Sequence, residues 1–317
     1  MRCEWFRNIA RSSGSSACIG IYRIVRGGAA RAVSCSRYRN TSSSEAIFWR
    51  EGRKTDELDM GIAISYYREF RPPPALAEYL LCFWIQRIHP SSEFTQRVLP
   101  DCCVDVLLID GVPMVIGPWT EPFDANLPPG TNILGARCHP GLAPSLLGAP
   151  ASELLNLSAS LCDLWGSDGT AEFMRIPHEA TVAAQISAME TALIVRIAKA
   201  GPIDNAVRAG IEWIARHPHG HVEELSQQIG LSSRQIQRRF TTAVGYGPKL
   251  FQSVLRFQRL LNLAGTAALK GNLAQLAADA DYADQAHMAR EVQRFSGKTP
   301  SGLLPSSQST LRLSSLI

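Results

Sequence analysis

Five polar side chains in the last third of the chain have the types and spacing to read base-pair edges. Arg234, Gln237 and Arg238 are interleaved with Ile236 and Phe240. Two apolar residues four apart share one face of a helix, which turns the polar three to the opposite face. Gln285 and Arg290, with Ala289 beside them, repeat the arrangement around Met288, Val292 and Phe295. In a major groove a guanidinium can pair bidentately with guanine, and a carboxamide with adenine. Nearby, Arg239, Arg294, Lys298 and Thr299 are suited to phosphate, Thr299 because it opens a short helix whose first amides point outward. A solvated charged face explains one such helix equally well. A second helix of the same design favours DNA.

Positioning these side chains requires two helix-turn-helix units. From His221 to Phe240, Val222, Leu225 and Ile229 form the inner face of a first helix. Gly230 allows a tight left-handed turn, and Ser232 can cap the second helix. The unit closes at Gly245-Tyr246-Gly247-Pro248. In the second unit Leu273, Leu276 and Ala277 build the first helix, Asp284 caps the reading helix, and Gly297-Lys298-Thr299-Pro300 closes it. Between the units, Pro248 opens a long helix to about Leu263, with Phe251, Val254, Leu255 and Phe257 inward. A stiff connecting helix would fix the spacing of two heads aimed at grooves about 34 Å apart. Upstream, Ile203 to Arg216 is amphipathic and should lean on the first unit.

A chain of 317 residues holds about two domains. The net charge of +4 divides into +5 over residues 1–59, −6 over 60–201 and +5 over 202–317. Only the last third is therefore a basic folded surface suited to a polyanion. No apolar run is long enough to span a membrane. The eight cysteines include no Cys-x-x-Cys pair, which argues against zinc and for a reducing cytoplasm. Cys102-Cys103 beside Asp101 is a redox candidate, but a strand of small apolar residues is the commoner reading.

Residues 1–59, rich in Ser and Arg, read as a disordered extension or as sequence upstream of a true start at Met60, and 306–317 as a disordered tail. Residues 60–200 read as a small β-barrel or sandwich with helices, and the chain as α+β overall. Pro72 to Leu76 should begin a short helix, and Tyr79–Ile88 a strand. Asp110-Gly111 should turn a hairpin between Cys103–Ile109 and Met114–Ile116, and Pro128-Pro129-Gly130 should turn into 132–137. Residues 142–165 and 178–199 read as helices, the latter with a stripe of Val182, Ile186, Met189, Leu193, Ile194 and Ile197. Gly201-Pro202 marks a domain boundary before a helical module at 201–305.

Residues 203–304 resemble the AraC/XylS family of bacterial transcription regulators. The resemblance is carried by Leu225–Phe240, Gly245-x-Gly-Pro248, Tyr282-x-Asp-Gln285-x-His287-x-x-Arg290 and Gly297-Lys298-Thr299-Pro300. It places Arg234, Gln237, Arg238, Gln285 and Arg290 at base-reading positions. The chain departs from the family with Asp281 where Gly is usual, and with Met288 and Val292 where Phe is usual. Asp tolerates a left-handed turn better than most residues. Residues 66–190 resemble, more loosely, a cupin-like sensor domain of one branch of that family, through Leu99–Asp105, Gly117–Thr120, Leu127–Gly130 and Gly135–Gly141. The resemblance implies a cytoplasmic, nucleoid-associated regulator without a cofactor. Its expected partners are double-stranded DNA, a small-molecule effector, RNA polymerase and a second copy of the chain. Trp84, Asp105, Trp119 and Arg137 are the candidate effector-pocket residues. The alternative is a cupin-type metalloenzyme or a cysteine-based enzyme fused to a DNA-binding module. Against it, His89, His139 and His178 stand far apart with no His-x-His pair, and neither a nucleophile motif nor a phosphate loop is present.

Overall fold

The computed structural model describes residues 65–91, 93–177, 180–264 and 273–303. The expected extension 1–59, the tail 306–317 and His178 lie outside them. The fold is α+β. Its first half is an antiparallel sheet in the order β1 (Tyr66–Phe70), β2 (Leu80–Arg87), β7 (Asn132–Cys138), β4 (Asp105–Ile109), β5 (Val112–Ile116) and β8 (Ser158–Ser160). A two-stranded ribbon, β3 (Phe94–Val98) with β6 (Phe123–Leu127), covers one face through Phe94, Ala125 and Leu127 against Trp84, Leu107 and Ile133. Helices α1 (Ala143–Leu147), α2 (Leu161–Met174) and α3 (Val182–Ile197) cover the other, with Leu146, Phe173, Met189 and Leu193 against Phe83, Val106 and Leu134. Two covered faces explain why β2 reads as a continuous apolar run rather than an alternating one. Asp110 and Gly111 turn β4 into β5 with φ of 48° and 80°, the two positive values that a type I′ hairpin needs.

Three sequence expectations change. Residues 74–79 form successive turns, not a helix, with Leu76 N–H on Pro73 O at 2.9 Å. The stretch 142–165 is not one helix: it divides into α1, a 3-10 turn at Ala151–Leu154, the edge strand β8 and the start of α2. On α3, Ile186, Met189 and Leu193 are buried, whereas Ile194 is 46% exposed, since one residue turns the helix about 100°.

The second half is helical: α4 (Asn205–Arg216), α5 (Val222–Ile229), α6 (Ser233–Val244), α7 (Pro248–Ala264), α8 (Leu273–Asp279), α9 (Gln285–Ser296) and α10 (Pro300–Leu303). Phe240, Phe251, Val254, Phe257, Met288, Val292 and Phe295 form its core. Leu99 and Cys102 from the first half are buried in that core too. Among the described residues no helix is long and apolar enough to cross a membrane.

Candidate nucleic-acid interface

Each reading helix is set by a turn, a cap and a buried face. Gly230 ends α5 at φ 72°, with its N–H on Ser226 O at 3.0 Å. Ser232 then caps α6: Gln235 N donates to Ser232 Oγ at 3.3 Å, and Ser232 N donates to Gln235 Oε1 at 2.9 Å. Ile236 and Phe240 are buried, Phe240 edge-on to Phe251. Gly210 of α4 lies so close beneath Phe240 that a Cβ would come within 2.8 Å of its ring. With that face fixed, Arg234, Gln237 and Arg238 are exposed. Gln237 turns its amide toward Gly247 and lies 3.5 Å from Thr241 Oγ1.

The second unit repeats this with different residues. Asp284 Oδ1 accepts from His287 N at 2.6 Å and starts α9. Met288, Val292 and Phe295 are fully buried, Phe295 against Phe257 of α7, so Gln285 and Arg290 are exposed. Met and Val fill the core positions without leaving the helix loose. Asp281 adopts φ 62° at the turn, and its carboxylate pairs with Arg259 of α7 and lies 3.8 Å from His219.

The cations fall into two groups. Arg239 pairs with Asp204 at 2.8 Å, and Asp204 also caps α4 through Ala206 N and Val207 N. The side chain ties α6 to α4, an ion pair that competes with the phosphate contact expected of Arg239. Arg256 similarly pairs with Glu291 at 3.3 Å. Among the described residues, no carboxylate lies within ion-pair distance of Arg234, Arg238 or Arg290. Arg294 is exposed and lies over its neighbour Phe295. Lys298 is half-buried, its N–H held by Ser296 Oγ at 3.1 Å, and Thr299 Oγ1 accepts from Gly302 N at 3.2 Å.

Residues 225–305 match the family described as a helix-turn-helix domain, over the span that holds both capped reading helices. That domain is of the AraC type, and the chain is a DNA-binding transcriptional regulator.

Residues 68–160 of the regulator match a domain of unknown function, DUF6597. The comparison with curated proteins found no match. Among solved structures, a probable AraC family transcriptional regulator from Rhodopseudomonas palustris CGA009 is 29% identical, covering 33% of this chain and 100% of its own at a TM-score of 0.30. An apo ToxT variant from Vibrio cholerae strain SCE256 is 10% identical, covering 70% and 96%, at 0.40. ToxT from Vibrio cholerae O395 bound to (E)-4-(8-methylnaphthalen-1-yl)but-3-enoic acid is 9% identical, covering 76% and 97%, at 0.34. The assignment rests on the helix-turn-helix match and the reading-helix geometry, not on these overlaps.

Of the four candidate pocket residues, the regulator brings three onto one face of the sheet. Arg137, 1% exposed, bonds Asp105 through Nε at 3.1 Å and Nη2 at 3.2 Å, and lies 3.8 Å from both Asp101 and Glu69. Burial alone would lower the guanidinium pKa, but Asp105 and Asp101 outweigh it and hold the group charged. Burial pushes the Asp101 carboxyl up, against the pull of Arg137. Trp84 is buried on the same face, and a Cβ on Gly135 would come within 2.5 Å of its Nε1. Trp119 instead stacks on Phe123 at 4.1 Å. Arg137 is thus already neutralised by protein carboxylates. A cavity of about 20 Å³ between the sheet and α3, lined by Ile85, Leu108, Ile176 and Gln185, includes none of the four and is water-sized.

The vicinal cysteines are in a loop, not a strand. Both are buried, and burial pushes both thiols up, away from the thiolate that reactivity needs. Among the described residues no group of three His, Cys, Asp or Glu is placed to hold a metal. Reasoning from sequence missed the residues that join the halves: Arg97, Gln258 and the 99–103 loop. The sequence marks Gly245 and Gly297 as helix stops, but gives no sign that they abut the other domain.

Proposed function

We propose that the regulator reads two successive major-groove segments, with Arg234, Gln237 and Arg238 of α6 on one and Gln285 and Arg290 of α9 on the next. Arg294, Lys298 and Thr299 contact phosphate around them. A module at 201–305 carries this reading, and a sensor module at 60–200 binds a small-molecule effector. A second copy of the chain and RNA polymerase are the protein partners of this reading. One observation carries it: two capped helices, each locked by buried apolar side chains, expose this polar set with its arginines free of acidic partners among the described residues. The effector acts by binding two arrangements of the heads with different affinity. Sequencing the DNA fragments that the purified chain selects from a random library tests the reading. Arg238→Ala is expected to lose about 1–3 kcal/mol of discrimination at one base of the selected site. Equal loss on selected and random DNA would exclude base reading by that residue.

A further inference from the structure

The C-termini of both reading helices rest on the sensor half. α6 ends at Gly245, φ 98°, where a Cβ would come within 2.7 Å of Pro118 Cγ and 3.3 Å of Ala151 O. α9 ends at Gly297, φ 67°, where a Cβ would come within 2.5 Å of Arg97 Nη2 and 3.9 Å of Pro122 Cγ. Arg97 Nε donates to Ser296 O at 2.9 Å. That carbonyl is one of those a helix end leaves without an intrahelical partner, and a cation there also meets the negative end of the helix dipole. Arg97 Nη1 is held in turn by both carboxylate oxygens of Asp124 at 2.9 Å. Between the two heads, Gln258 of α7 donates to Pro100 O at 2.5 Å. Beside it Cys102 is buried among the helices at φ 67°, a conformation that a residue with a side chain keeps only where its surroundings fix it.

We infer that Arg97 is a positioning residue for DNA recognition. It anchors the second reading helix to the same sensor half that supports the first through Pro118 and Ala151, so the spacing between the segments read is set by the sensor as well as by α7. This rests on the two-head reading proposed above. Two tethered heads reinforce each other only while their geometry lets both engage at once.

The probe is DNA selected from a random library by the wild-type full-length chain. Its derivatives have one or two base pairs added or removed between the protected segments, or the second segment scrambled. Arg97→Ala is expected to weaken binding to the selected DNA about tenfold, to leave binding to the scrambled derivative unchanged, and to flatten the penalty for altered spacing. Arg97→Lys, which keeps a cation and a donor, restores part of the loss. If Arg97→Ala does not fold, as judged by circular dichroism, Asp124→Asn decides, with a smaller loss of the same pattern. Unchanged affinity and spacing preference, or an equal loss on intact and scrambled DNA, overturns the inference. A wild-type footprint on one segment alone would sink the two-head reading itself. Two protected segments with an indifferent Arg97→Ala would sink only the role of Arg97.

Discussion

Replacing Arg137 by methionine tests whether the cluster it centres is structural or waits for a ligand. The guanidinium is 1% exposed and lies 3.1 Å from Asp105 and 3.8 Å from both Asp101 and Glu69. Removing it leaves three largely buried carboxylates facing one another without the Arg137 cation between them. Taking one partner from a buried ion pair costs about 3–5 kcal/mol, most of it the stranded charge. The side chains of Asp105 and Glu69 keep 15% and 26% of their surface in water, which places the expected loss toward the lower end. A companion Asp105→Leu in the Arg137→Met background removes a stranded charge and should recover part of the loss, because apolar replacements of buried pairs are often nearly neutral. Urea unfolding of the full chain, followed by tryptophan fluorescence, reads this directly, since Trp84 lies on the same face. With slopes of about 1–3 kcal/mol per molar, the midpoint should fall by about 1–3 M. A single variant within about 1 kcal/mol of wild type, or a double variant no more stable than the single, would refute the structural role. Arg137 would then be available to an anionic effector.

Two glycines separate backbone strain from crowding. Gly230→Ala, at φ 72° with nothing within 4 Å of the new Cβ, should cost about 1–2 kcal/mol, measured by thermal or urea unfolding. Gly245→Ala adds contacts of 2.7 Å with Pro118 and 3.3 Å with Ala151 O to the same strain, and should cost at least about 1 kcal/mol more; equal losses would mean that the first half of the chain does not press on α6. Burial also holds the His139 imidazole below its ordinary pKa. The folded chain then binds that proton less readily than the unfolded one, so the contribution of His139 is complete above about pH 6.5 and is lost as pH falls below it. His139→Gln should flatten that part of the stability-against-pH curve, and a curve of unchanged slope would count against the burial account.

Local signals were the legible ones. Ser232, Asp284, Gly230 and the Asp110-Gly111 turn act through neighbours within a few residues, and each behaves in the structure as its chemistry suggests. The stripe of α3 was legible to within one residue, since Leu193 and Ile194 differ only in rotation about the helix. Long-range partners were not legible. Arg239 and Asp204 are 35 positions apart, Arg97 and Ser296 are 199 apart, and nothing in local pattern links either pair. The strand β8 is three small residues that pair only because the edge of β5 is open to them, with Ser160 opposite Met114. The candidate pocket residues were hard to judge from sequence for a related reason. Asp105 and Arg137 look like ligand-directed charges when each is read alone, but they are cross-strand neighbours on β4 and β7 and neutralise each other.

The same sorting of partners bears on how residues 202–317, with a formal charge of only +5, present an attractive face to a polyanion. Their acids are largely committed elsewhere. Asp204, Glu291 and Asp281 each pair with a scaffold arginine. Asp284 and Glu224 cap helices, Glu212 lies within ion-pair distance of Arg216, and Asp279 accepts from Gln275 at 2.8 Å. Of the three acids that crowd the second unit in the sequence, Asp281 is offset by a cation, whereas Asp279 and Asp284 accept from neutral donors and keep their charge. Paired charges a few ångströms apart cancel at the distance of an approaching duplex, whereas Arg234, Arg238 and Arg290, without acidic partners among the described residues, keep their full reach within the roughly 8–10 Å over which salt allows it. On the two-head reading proposed above, the distribution of partners, more than the net charge, makes these two helices the face turned to DNA.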